Sequence, residues 1–403
     1  MNLTFLGVGG LPRQFWILWA GTLANRVGFF VLPFMAMFLA HQGFPPKTVG
    51  IVVSCYGGGT LGSQVLGGYL ADRFGRRFTL VTGMIGTAFS VMLLMLAPNL
   101  LLIAVAAAML GLTADLYRPA VSAMVADLVP AENRARAFGL LYWAINLGMG
   151  AAGLLGGALA QRNYEILFVA DALTCLLFAA LIARHVPDSR PERSERKSGG
   201  YREALRDRLL MGLAAVGLIN TFIYLQQLTT LPLAIVADGL GPASYGVIWA
   251  VNPISIIVLQ PLMLRFMTAR AAVAACAVGL VVQGVGFGLT AYAGTVLTYA
   301  ATVVIWTVGE VIFNSVFPAL TADITPAGLR GRYNGVIGCG AGVAALLAPV
   351  CGTAAVAAFG RNIVWAMCFI LGLIGCAAMI GIRRAVAIRS DCLNPFDKPV
   401  VDR

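Results

Sequence analysis

The sequence predicts an all-α membrane protein of twelve transmembrane helices arranged as two pseudo-symmetric six-helix bundles. Three observations lead there. Charged residues are 11% of the 403 and apolar residues 59%, where soluble domains carry about a quarter charged. Apolar runs near the roughly 20 residues that cross a bilayer recur twelve times between charged or turn-forming clusters. One stretch of the first half, "AMVADLVPAENRARAFG" (Ala123 to Gly139), aligns with "ALTADITPAGLRGRYNG" (Ala319 to Gly335) at an offset of 196. A membrane β-barrel would show segments of about ten residues alternating in polarity, and runs such as "LVTGMIGTAFSVMLLMLA" do not alternate.

The expected spans cover 14–40, 48–71, 78–97, 100–126, 137–160, 164–183, 209–236, 243–264, 271–292, 295–322, 333–358 and 362–382. Span 1 is too long for the apolar core of a signal peptide and no cleavage pattern follows it, so it is expected to stay. With the N-terminus inside, 23 of the 28 Lys and Arg are cytoplasmic, three lie outside (Lys47, Arg162, Arg361) and two fall within spans (Arg26, Arg118). That bias orients polytopic proteins, so both termini read as cytoplasmic, in a bacterial cytoplasmic (inner) membrane. Anionic lipid headgroups are sufficient partners for the net charge of +11, without nucleic acid. Eight Cys without a C-x-x-C pattern and two His point to neither a metal site nor a disulfide framework. With no nucleophile–base pair and no phosphate loop, neither enzyme activity nor a cofactor is expected, and the chain reads as a monomer.

Between spans 6 and 7, "RHVPDSRPERSERKSGGYREALRDR" (Arg184 to Arg208) is polar, basic and rich in Pro, Ser and Gly, the composition of a linker. A short surface helix is expected near Tyr201 to Arg206. The division is then an N-terminal bundle over 1–185, a cytoplasmic linker over 186–207, a C-terminal bundle over 208–385 and a cytoplasmic tail over 386–403. Parallel six-helix repeats are a transporter architecture whose substrate site lies between the halves near the midplane.

The loop between spans 2 and 3, "GGYLADRFGRR" (Gly67 to Arg77), concentrates charge in a chain that otherwise avoids it. It fits the pattern G-x-L-a-D-R-x-G-R-R at Gly68, Leu70, Asp72, Arg73, Gly75, Arg76 and Arg77. On this motif and the Arg-x-Arg stretches after spans 4 and 10, the chain resembles the major facilitator superfamily, most closely its twelve-helix drug:proton antiporter branch. The second-half copy, "LMLRFMTAR" (Leu262 to Arg270), has decayed, with Leu264 in the place of Asp72 and Met267 in that of Gly75. The resemblance implies that Asp72 meets the N-terminal end of span 11, near Leu329 to Arg332, and that Arg76 pairs with Asp127. Together they would form a latch that shuts the cytoplasmic side. A carboxylate is favoured at a helix N-terminus, and Gly75 permits the tight turn. The alternative is that Arg73, Arg76 and Arg77 are topology signals only. The antiporter signature of span 5 is met at Gly148, Gly156 and Gly157, with Ala152 and Gly153 where the family has Gly-Pro; a proline stands instead in span 11, in "APVCG" (Ala348 to Gly352). Such glycines let helices approach closely.

Four charges stand well inside spans: Arg26, Asp115, Arg118 and Glu310. Each costs about 2.5 to 3.5 kcal/mol at the midplane on insertion scales, so they must be paired or wet. At about 1.5 Å per residue, Arg26, Asp115 and Glu310 share one layer with Asn220, and Asp115 and Arg118 share a helix face. In the family resembled, spans 1, 4, 7 and 10 line the cavity. Two readings stand, a central cluster handling protons or substrate and an ion-pair lattice holding spans together. Glu310 is the first choice as proton carrier, because Asp115 has Arg118 one turn away to keep it ionised. Polar and aromatic candidates for a substrate cavity are Asn25, Phe29, Tyr117, Asn146, Phe222, Tyr224, Gln226, Gln227, Asn252, Trp306 and Asn314, together with Asn220. Asp171, near the outer end of span 6, reads as reaching the interface. The resemblance implies a proton-coupled secondary transporter working by alternating access, with efflux of an amphipathic, cationic compound favoured. Symport of a nutrient or movement of a lipid-like substrate is the transporter alternative, and a non-transporting scaffold or sensor the alternative of another class.

Overall fold

The computed structural model describes residues 11–186, 201–264, 272–326 and 329–393. Among them no strand occurs. The helices are α1 (Arg13–Val27), α2 (Val31–His41), α3 (Pro46–Phe74), α4 (Arg76–Leu96), α5 (Leu100–Ala114), α6 (Tyr117–Leu128), α7 (Arg134–Arg162) and α8 (Tyr164–His185). After the linker come α9 (Tyr201–Arg206), α10 (Arg208–Ala237), α11 (Pro242–Leu264), α12 (Ala272–Leu289), α13 (Val296–Asp323), α14 (Arg330–Phe359) and α15 (Asn362–Leu393). Among the described residues ten segments are long and apolar enough to cross a membrane. The two remaining passes are α3, diluted by glycines and its charged ends, and the pair α5–α6. The short helix expected after the linker is α9. The last helix runs to Leu393, past position 386, where the sequence suggested a tail would begin.

Two spans that read as continuous are broken. Span 1 stops at Val27 and restarts at Val31, and the N–H groups of Phe30 and Val31 donate to Asp171 Oδ2 at 3.1 and 2.9 Å. The first N–H groups of any helix lack an intrahelical partner, and in lipid nothing else can take them. Asp171 is therefore no interface residue: it is only 4% exposed and caps α2 from α8. Span 4 breaks between Ala114 and Tyr117, with Asp115 at the end of α5. Helices α3 and α4 are joined by Gly75 alone, at φ 98°, a conformation that costs glycine little and other residues much.

Both described ends of the chain lie on one face, here the terminal face; the opposite one is the distal face. The first six spans meet the last six along two glycine-rich seams toward the distal face. In one, α3 lies against α14: a Cβ placed on Gly57 would come 2.1 Å from the carbonyl oxygen of Ala345. That carbonyl is the one freed of its helical N–H partner by Pro349, four residues on. In the other, α7 lies against α11, and a Cβ on Gly246 would come 2.2 Å from the Gly153 oxygen. Tyr245 adds a hydroxyl donated to the Pro33 carbonyl at 2.9 Å. Leucine, isoleucine and phenylalanine side chains such as Phe89, Leu173 and Ile374 are exposed around the outside, where lipid would cover them.

Candidate functional site

Between the halves lies a cavity of about 800 Å³, in the range of small-molecule sites. It runs from Arg26, Leu32 and Trp249 at its inner end to Ser122, Phe138 and Gly338, roughly one to two turns from the terminal face. Of the expected cavity residues, Phe29, Tyr117, Tyr224 and Gln227 line it, as do Arg26 and Asp115.

Arg26 is in the last turn of α1, where the helix dipole favours a cation, and it is 7% exposed. Its guanidinium carbon stands 4.3 Å from the Tyr117 ring centre and 4.9 Å from that of Phe29, cation–π contacts that strengthen out of water. Its Nε is buried without a hydrogen-bond partner among the described residues. A second, small chamber of about 60 Å³ adjoins it, lined among others by Asn25, Asp115, Asp171 and Cys175. There Asn25 Nδ2 donates to Cys175 Sγ at 3.3 Å, and the thiol donates to Asp171 Oδ1 at 3.6 Å. The backbone of Arg118 starts the first turn of α6, while its side chain lies outside the described residues.

Glu310 does not line the cavity. It is 7% exposed on α13 and accepts a 2.7 Å hydrogen bond from Asn252 Nδ2 on α11, an amide that also donates to Thr307 at 2.9 Å. Tyr142, on the cavity wall, lies near Glu310. Trp306 is buried, stacked on Phe287 at 5.0 Å and edge-on to Tyr224 at 6.2 Å. Asn146 bonds its own helix at the Tyr142 carbonyl, 2.9 Å, and Gln226 ties α10 to α14 at the Ala348 carbonyl, 3.1 Å. Asn220 is buried, Phe222 half-buried and Asn314 exposed, and none of the three is among the cavity's lining residues.

In the charged loop, Arg76 pairs with Asp127 at 2.8 Å, fastening α4 to α6 within the first half. Arg77 donates to the carbonyl of Ala183 in the last turn of α8. Arg73 donates to the Tyr69 hydroxyl on its own helix. Gly68 and Asp72 belong to α3; the side chain of Asp72, and with it the expected docking on the start of α14, lies outside the described residues.

Sequence reasoning missed several groups. Asp171 and its hold on α2 join residues about 140 apart. Asp238 takes hydrogen bonds from Tyr299, at 2.7 Å, and from Arg361 on the distal face. Asp207 caps α10 and takes Tyr333 and Arg389 on the terminal face. No local pattern announces such pairings. An acid at the edge of an apolar run was the available signal. Among the described residues no group of three or more His, Cys, Asp or Glu could hold a metal ion.

Helical passes in two halves, joined by close seams on one side and parted by a cavity on the other, define an integral, multi-pass membrane transporter. The chain belongs to the Major Facilitator Superfamily, whose model matches residues 18–349; its members are transporters and not enzymes. The uncharacterized MFS-type transporter YqjV of Bacillus subtilis (strain 168) is 27% identical over 80% of this chain and 82% of its own length. The multidrug resistance protein MdtH of Salmonella arizonae is 25% identical over 77% and 78%. Among solved structures, a POT family transporter in complex with 5-aminolevulinic acid superposes with a TM-score of 0.79 at 15% identity, covering 94% of this chain and 98% of that one. This last likeness is one of fold.

Proposed function

We propose that the protein exports amphipathic small molecules in exchange for protons, alternating access by rocking its two halves, 1–185 against 208–385. The observation that carries this is the cavity, shut toward the distal face by backbone-tight seams and reaching toward the terminal face, with a buried carboxylate set behind its wall. The basic loops support placing the terminal face in the cytoplasm of a bacterial inner membrane, so the form described is inward-facing. Likeness to a multidrug resistance protein supports export of drug-like compounds.

Glu310 is the assigned proton carrier. It has the Asn252 amide for company, while Arg26 stands with Asp115 on the cavity wall. In the outward-facing form, Asp72 and the start of α14 would close the terminal face, with the Arg76–Asp127 pair holding α4 and α6 in register.

The test is flux in proteoliposomes under an imposed pH gradient. Glu310→Gln mimics the protonated acid and is expected to abolish gradient-driven transport while leaving counterflow, which needs no net proton movement, near the wild-type rate. Gradient-driven flux retained by stable Glu310→Gln protein would remove Glu310 from that role. Substrate flux by the wild type that ignores the gradient would remove proton coupling altogether.

A further inference from the structure

The inner end of the cavity carries several donors beside the carboxylate of Asp115. Three of its lining residues each hold a buried nitrogen without a hydrogen-bond partner among the described residues: Arg26 at Nε, Gln227 at Nε2 and Trp249 at Nε1. They come from α1, α10 and α11, hence from both halves. Buried polar groups are otherwise almost always paired, and indole and guanidinium nitrogens can only donate. Other buried side-chain atoms are unpaired as well, but these three belong to residues that line one cavity.

The acids nearby do not answer them. Asp171 spends its carboxylate on the N–H groups of Phe30 and Val31 and on Cys175, and Asp115 has a partner of its own. Arg26 itself is held by two rings. Rings that stack on the face of a guanidinium leave the N–H edge available, and that planar fork matches the two oxygens of a carboxylate. Much of the rest of the wall, including Ile145, Met149, Leu225 and Leu228, is apolar, with Tyr56, Thr60, Ser122 and Thr221 among the polar exceptions.

We infer that this inner end binds an oxyanion, a carboxylate or sulfonate borne by an otherwise apolar substrate, with Arg26 as principal donor and Gln227 and Trp249 assisting. The inference rests on the transporter reading and narrows its substrate class from the cationic amphiphiles favoured by family likeness to anionic ones. Because its donors come from both halves, a bound oxyanion would bridge them.

Three probes that share one apolar body test it: naphthoate, the neutral naphthylmethanol and the cationic naphthylmethylammonium. Binding to purified protein is read by quenching of tryptophan fluorescence, which requires neither transport nor a proton gradient. Naphthoate is expected to bind wild type roughly tenfold or more tighter than either other probe. Arg26→Gln should erase that preference and Arg26→Lys restore part of it, since lysine keeps the charge without the fork. Gln227→Leu and Trp249→Phe should each weaken naphthoate by a few fold more than they weaken the neutral probe. Preference for the cation, equal binding of all three probes, or an undiminished naphthoate preference in folded Arg26→Gln would overturn the assignment. If liposome flux fails while the Arg26-dependent preference holds, the transporter reading falls and the anion site stands. Repeating the titration in nanodiscs with and without phosphatidylglycerol tells a free organic anion from a lipid headgroup: displacement of naphthoate by that lipid assigns the oxyanion to a headgroup, and indifference to it assigns a free solute.

Discussion

Asp171 illustrates how a carboxylate can be structural at the depth of a membrane. It stands where two backbone donors would otherwise face hydrocarbon, so its removal orphans both. Asp171→Ala is expected to cost about 1–3 kcal/mol, read as a lowered thermal midpoint in detergent; an unchanged midpoint would show that α2 starts without it. Asp207 makes a parallel case outside the bilayer. Burial alone would raise its carboxyl, but hydrogen bonds from Arg389, Tyr333 and the start of α10 hold it below its ordinary 3.8. A depressed folded value means stability that is present above the unfolded value and lost as pH falls through the folded one. Wild type should therefore exceed Asp207→Asn in stability at neutral pH, and the two should converge below about pH 3.8; melting curves at a series of pH values would check this. Arg26, Asp115 and Glu310 were legible because a charge in an apolar run is a rare signal. The cap made by Asp171, the seclusion of Glu310 and the unpaired donors of Gln227 and Trp249 were not, because each depends on residues far away in the chain.

Among the elements, the passes could be read from length and apolarity, whereas the breaks in spans 1 and 4 could not. A glycine such as Gly28 is tolerated within a helix, and only an outside acceptor makes stopping there favourable. At the break in span 1 the two half-helix dipoles are each met by charge, Arg26 on the closing turn of α1 and Asp171 on the opening of α2. The span 5 glycines gave packing in outline, and their partners are now specific. Gly148 lies on the backbone of Arg26 and Val27, where a Cβ would come 2.4 Å from Arg26 Cβ. Gly157 and Gly153 lie against Gly246. Bulk on the α3–α14 seam should pry the distal side apart. With spin labels at Gln42 and Ala358, Gly57→Leu is expected to lengthen the distance across the distal face by several ångströms, about the width of the added side chain. An unchanged distance would mean that α14 yields locally.

For the molecule as a whole, the repeat at an offset of 196 residues foretold two related halves, but not which face they would close. If Asp72 latches the terminal face in the outward-facing form, Asp72→Asn removes a helix-terminus interaction of about 0.3–1 kcal/mol, up to about 2 when partly buried. It should enlarge the inward-facing population a few fold and slow transport at unchanged expression. Label distances across the terminal ends of α3 and α14 measure it, and identical distributions would argue against the latch. The distal seams set the character of that motion. Where glycine meets a carbonyl with no side chain between them, the joint has no compliant spring to compress, so partial opening gains nothing. The halves should then move in discrete strokes, and a mutation that thickens the seam, by keeping the distal side from closing fully, should shorten the stroke.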